Sequence, residues 1–215
     1  MTKLFRAAVL ASTLCISVAP ACAATVDRIA ATVDRQVLTV SEITQMVSIR
    51  FFARAANRSD DDYRRDVLDA LIAQALRFRD VERFGAQDIS KDAIEARLQE
   101  ITKRFANEAA FLDAVAHAEL TLDEVRALIK RQLQVEAYIQ ERFSPLIFVS
   151  SDEIETYYNG PWAKQRRDRR LPLTPLADVR EEIRALLKSS RLQEEIDRWT
   201  TQLRARSNVD IYAWR

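Results

Sequence analysis

The stretch LTPLADVREEIRALLKSSRLQEEIDRWTTQLRARSNVDIY, residues 173–212, decides the fold. No glycine or proline interrupts Leu176 to Arg206, which predicts one long helix. Thr174 can cap it, and Pro175 suits the first helical position because its missing N–H would be unpaired there. At about 100° per residue, Leu176, Val179, Ile183, Leu186 and Leu187 share one side. Leu192, Ile196, Trp199 and Leu203 fall on nearly the opposite side, and the change lies near Ser189 and Ser190. Such a helix must touch two bodies in succession, or bend between them. The short segment Val209-Asp210-Ile211-Tyr212 after it predicts a terminal strand.

Working back toward the start, Lys3 and Arg6 precede an apolar run, Ala7 to Ala19, that is too short for a permanent membrane span. Ala21-Cys22-Ala23 matches a small-x-small cleavage pattern, so residues 1–23 are expected to be a signal peptide and 24–215 a single exported domain. The two cysteines, Cys15 and Cys22, both lie in that leader. The mature chain then has no disulfide in an oxidising compartment and must rely on its core. Lysine and arginine number 33 against 32 acidic residues, a formal charge of +1, and losing Lys3 and Arg6 makes the mature chain one unit negative. That balance argues against general nucleic-acid binding. Gly85 and Gly160 are the only glycines, which excludes the usual phosphate-cradling loops and points to a mostly α-helical fold.

The segment from Val26 to Val40 is dense in β-branched residues and turns at Asp34-Arg35, which predicts a small β-hairpin. Thr39 with Glu42, and Thr121 with Glu124, form capping boxes. Ser59 and Ser90 cap two further helices, the first rich in apolar positions from Val67 to Phe78 and stopped by Gly85. A short helix is expected over Glu108 to Ala118, and a longer one over Leu122 to Phe143, stopped by Pro145. Ser151-Asp152-Glu153 opens a short helix through Tyr158, which Asn159-Gly160-Pro161 is expected to break. Residues 162–172 then read as a loop.

These motifs, in this order, resemble the SurA-type periplasmic chaperones and their relatives, the parvulin-like foldases. The resemblance is carried by Val26 to Ile43, by Val67-Leu68-Asp69-Ala70-Leu71-Ile72, by Val149 to Tyr158, and by Val179 through Trp199 to Tyr212. It implies a SurA- or trigger-factor-like helical chaperone domain in which the long C-terminal helix and terminal strand close onto the N-terminal module, the strand pairing beside the hairpin. Members of the family often insert a parvulin isomerase domain where this chain has only residues 159–172. Parvulin catalysis relies on paired histidines, and here His117 stands alone.

The implied function is an ATP-independent periplasmic chaperone for unfolded polypeptides, including outer-membrane protein precursors. No catalytic residue, metal or cofactor is expected. Asp60-Asp61-Asp62 lacks the alternating carboxylates and glycine turn of a calcium loop, and His117 has no second ligand for zinc. Broad apolar contact needs exposed side chains. The polypeptide-binding candidates are Ile49, Phe51 and Phe52, which occupy different sides of their helix; Phe148, Tyr157 and Trp162, beside the site of the missing domain; and Val179, Ile183 and Leu187, on the first stripe of the long helix. Wrapping of these by neighbours is the plainer alternative. The basic run Lys164 to Arg170 is either a solvated loop or a contact for an anionic membrane surface, with Trp162 as its anchor. Two other functions stay open: prolyl isomerisation, and assembly with one dedicated partner or a second copy of the chain.

Overall fold

A computed structural model describes residues 27–213. The expected signal peptide lies outside them. The chain runs β1 (Ile29–Val33), β2 (Gln36–Thr39), α1 (Val40–Ser48), α2 (Asp60–Phe84), α3 (Lys91–Thr102), α4 (Glu108–His117) and α5 (Leu122–Arg142). A 3-10 turn at Ser144–Leu146 leads to α6 (Ser151–Tyr157), a π turn (Tyr158–Trp162), α7 (Ala163–Asp168), α8 (Leu176–Ala205) and β3 (Val209–Ile211).

The capping signals at Thr39, Ser59, Ser90 and Thr121 act where the sequence places them. Thr39 and Glu42, and Thr121 and Glu124, form reciprocal capping boxes, as do Ser150 and Glu153. Ser59, Ser90 and Asn107 each accept a hydrogen bond from the backbone of their own helix's first turn, satisfying a donor that would otherwise be orphaned. Asp60, Asp61 and Asp62 sit in the first turn of α2, at the positive end of its dipole. Gly85 ends α2 at φ 93°, a conformation cheap only for glycine. Thr174 is not the cap of α8. Pro175 occupies that position, and the Thr174 carbonyl instead accepts from the Tyr158 hydroxyl at 2.8 Å.

The two ends of the described chain meet in one antiparallel sheet of order β2-β1-β3. Ala31 pairs with Ile211 and Val33 with Val209. Beyond the ladder, the Asp34 amide donates to the Asn208 carbonyl at 2.7 Å, and the Asn208 amide donates back to the Asp34 carboxylate at 2.8 Å. The C-terminal strand does lie beside the hairpin, on β1.

α8 serves two cores. Its second half buries Trp199 and Leu203 in the main core, the cluster that also holds Val67, Ile72, Leu76 and Val81 of α2 and Ile129 and Ile139 of α5. Trp199 lies 5.6 Å from the Tyr138 ring and 5.4 Å from Phe143, centroid to centroid, and its indole N–H reaches Asp80 at 3.2 Å. The first half buries Val179 and Ile183 in a separate, smaller core with Val149, Ile154 and Trp162. Tyr157, Tyr158, Leu176 and Leu187 pack around it. The change of face near Ser189 and Ser190 is therefore a passage from one core to the other along one unbroken helix.

Asn159-Gly160-Pro161 does not break the chain out of helix. Pro161 has no N–H, and its ring would strike the carbonyl four residues back in a regular α-helix. Widening to a π turn accommodates it. The chain continues directly into α7, so the expected loop over 162–172 is helical as far as Asp168.

Candidate polypeptide-binding surface

The structure divides the nine candidate contact residues sharply. Ile49 (0% exposed) and Phe51 lie in the main core. Trp162, Val179 and Ile183 (0% exposed) form the smaller one. These five are interior residues and correct the expectation that they are offered to a client. Phe52, Tyr157 and Leu187 are half-buried. Phe148 alone is fully open, at 75%.

The corrections have local causes. α1 stops at Ser48, so a helical wheel carried to Phe52 assigns the wrong faces. Arg50 adopts φ +50°, and the Phe51 amide turns back to the Met46 carbonyl at 2.9 Å. That left-handed turn sends both Ile49 and Phe51 inward. At Trp162, the π turn rotates the side chain away from where a loop would leave it, onto α6 and α8. Val179 and Ile183 are covered by Ile154 and Trp162, so the first stripe of α8 is filled from within.

Open apolar surface lies elsewhere. A groove of about 420 Å³ runs between α1, α2 and α5, lined by Met46, Leu71, Leu120, Ala127 and Leu128. Glu42, Gln45, Glu124 and Arg131 edge it. Gln45 is held there by its side-chain amide, which donates to the Ala118 carbonyl at 3.1 Å. Sequence periodicity does place Leu71 and Leu128 on the apolar faces of α2 and α5. It counts them as core, because a wheel cannot tell the centre of a face from its rim.

A second open patch is the link between α5 and α6. Leu146 and Phe148 are each 75% exposed there, flanking the half-buried Ile147. The link is tied to α8 by Arg191, which donates to both the Phe148 carbonyl and the Glu153 carboxylate. Glu153 also accepts from the Ser150 amide at 2.8 Å and hydroxyl at 3.0 Å. Arg191 first, then the Ser150 donors, hold its carboxyl down at about 2 from an ordinary 4.5.

The remaining candidates are engaged locally. His117 is exposed at the end of α4, with Nδ1 2.8 Å from the Asp113 carbonyl oxygen. Asp60 pairs with Arg54 at 2.6 Å, and the Asp62 backbone amide donates to Ser59 at 3.1 Å. On α7, Lys164 pairs with Asp168 at 2.6 Å and Arg166 donates to the Pro172 carbonyl at 2.9 Å. Arg167, Arg169 and Arg170 are exposed, but Trp162 is buried and is not an interfacial anchor beside them. No described helix is long and apolar enough to cross a membrane.

No family model matches the chain, and no curated protein matches its sequence. The fold and the surface define a mostly helical protein whose terminal strand closes a three-stranded sheet and whose long helix carries two cores.

Proposed function

We propose that this protein is an exported, ATP-independent holder of unfolded polypeptides, outer-membrane precursors among them. The α1/α2/α5 groove carries this reading. Its lining comes from three helices, with the half-buried side chains of Leu71, Leu120 and Leu128 offering apolar contact of no single shape. Its rim carries both signs of charge, so it favours no single charged sequence. A surface of this kind suits many weak clients better than one shaped ligand, with affinities of about 1 μM or weaker. The sequence resemblance described above supports the same reading.

The test is suppression of aggregation of a chemically unfolded outer-membrane β-barrel protein on dilution from urea. The purified protein slows aggregation at stoichiometric amounts. Leu128→Asp, which places a charge in the groove while leaving the fully buried side chains untouched, weakens that effect without changing the helical circular dichroism. Aggregation that proceeds unchanged in the presence of the wild-type protein refutes the proposal.

Leu146 and Phe148 favour a second reading, in which one dedicated partner or a second copy covers them. Sedimentation of the protein across a concentration series distinguishes self-association from client holding.

A further inference from the structure

A second concavity, of about 430 Å³, opens between the end of α1, the start of α2 and the end of α3. Its walls are Val47, Phe52, Ala53 and Tyr63, and three guanidinium groups enter it, from Arg50, Arg54 and Arg104. Their charges are not equally compensated. Arg54 is neutralised by Asp60 at 2.6 Å and donates to the Arg58 carbonyl at 3.1 Å. Arg104 donates only to backbone carbonyls, those of Arg50 at 2.6 Å and Phe51 at 2.7 Å. Arg50 donates to the Arg104 carbonyl and lies over the Phe105 ring at 4.7 Å. Among the described residues neither Arg50 nor Arg104 forms an ion pair. Arg50 and Arg104 each donate through a single nitrogen of a five-donor fork, so donors are left over on both.

Arg50 sits at φ +50°, the left-handed position just past the end of α1, as Glu119 and Arg170 do past α4 and α7. That turn is what brings its side chain beside Arg104. The aromatic floor is fixed as well, since the Tyr63 hydroxyl donates to the Phe52 carbonyl at 2.6 Å. Burial pushes the Tyr63 phenol up, and the charges of Arg104, Arg54 and Arg50 oppose that shift.

We infer that this concavity is a carboxylate-binding site, in which Arg50 and Arg104 grip the anion and Phe52, Val47 and Ala53 seat an apolar group attached to it. Planar forks match a carboxylate through paired hydrogen bonds. The apolar walls distinguish such a ligand from a bare oxyanion, which gains nothing from them. A chain terminus ending in an apolar side chain has this chemistry, as does a small aromatic acid. The site is separate from the α1/α2/α5 groove and stands whether or not that groove holds clients.

The test is calorimetric titration of the purified protein with N-acetyl-phenylalanine, with its amide, and with inorganic phosphate. The acid binds at one site, about tenfold or more tighter than the amide, the weight of a charge-assisted hydrogen bond. Arg50→Asn keeps a residue suited to the left-handed turn but removes the cation. It abolishes the advantage of the acid, with a melting temperature equal to or above that of the wild type. Arg50→Lys keeps the charge without the fork and retains only part of the advantage, which provides the same test should the asparagine variant fold poorly. The inference is overturned if acid and amide bind equally or not at all. It is also overturned if both Arg50 variants bind the acid as the wild type does, or if phosphate binds through Arg50 and the acid does not. If the acid came from a polypeptide terminus and not a free metabolite, a peptide ending in phenylalanine competes with N-acetyl-phenylalanine while its C-terminal amide does not.

Discussion

Ile183→Ala asks whether the two halves of α8 serve one core or two. Ile183 is 0% exposed and belongs to a cluster of five buried side chains. Truncating it to alanine removes three carbons and leaves a cavity, which costs about 2–5 kcal/mol. A charge or hydroxyl at this site, as in Ile183→Ser, adds the cost of an unpaired buried polar group. The substitution therefore acts on stability, and not chiefly on binding as the exposed-stripe expectation would have it. The loss falls on a small core separate from the larger one, the two being linked along α8 and the segment 144–149. Local opening should consequently be cheaper there than global unfolding. Trp199→Ala supplies the contrast. It costs about 3–5 kcal/mol in the main core and strips the Asp80 carboxylate of its indole donor. Amide hydrogen exchange reads the difference. In Ile183→Ala, protection falls across 151–168 and 176–187 and stays near wild type in α2 and α5. In Trp199→Ala, protection falls in α2, α5 and the second half of α8. Equal loss of protection along the whole chain in both variants would refute the two-core reasoning and show a single cooperative unit.

The Glu153 latch has a sign that can be measured. Its folded value of about 2 lies below the ordinary 4.5, so its contribution is complete above about pH 4.5 and disappears as the pH falls toward 2. Denaturant melts across that interval should show a shallower acid slope for Glu153→Gln than for the wild type; parallel slopes would show that the latch does not form. Trp162 poses the opposite case, since its indole nitrogen is buried without a hydrogen-bond partner. Trp162→Phe removes that orphan donor at the expense of some ring volume, and stability should change by less than about 1 kcal/mol. A loss of more than about 3 kcal/mol in urea melts would show that the cost of the lost ring volume outweighs the removal of the orphan donor.

What the sequence by itself determined is local. Hydroxyl side chains at Thr39, Ser59, Ser90 and Thr121 start helices because each satisfies a backbone donor within its own first turn. The same reading places the hairpin turn at Asp34-Arg35 and the end of α2 at Gly85. The double stripe of residues 176–203 even announces two packing partners, because the period of an α-helix is insensitive to what lies opposite. Tertiary structure decided what lies opposite. Val179 and Ile183 are interior because the π turn at Tyr158–Trp162 carries Trp162 back over them, and no spacing rule anticipates a proline absorbed into helix. Ile49 and Phe51 are interior because a left-handed residue, Arg50, folds the chain between them. Exposure itself is a property of pairs of elements. Leu71 and Leu128 remain accessible only because α1, α2 and α5 diverge around a groove, and Arg50 and Arg104 converge on one hollow although 54 residues separate them in the chain.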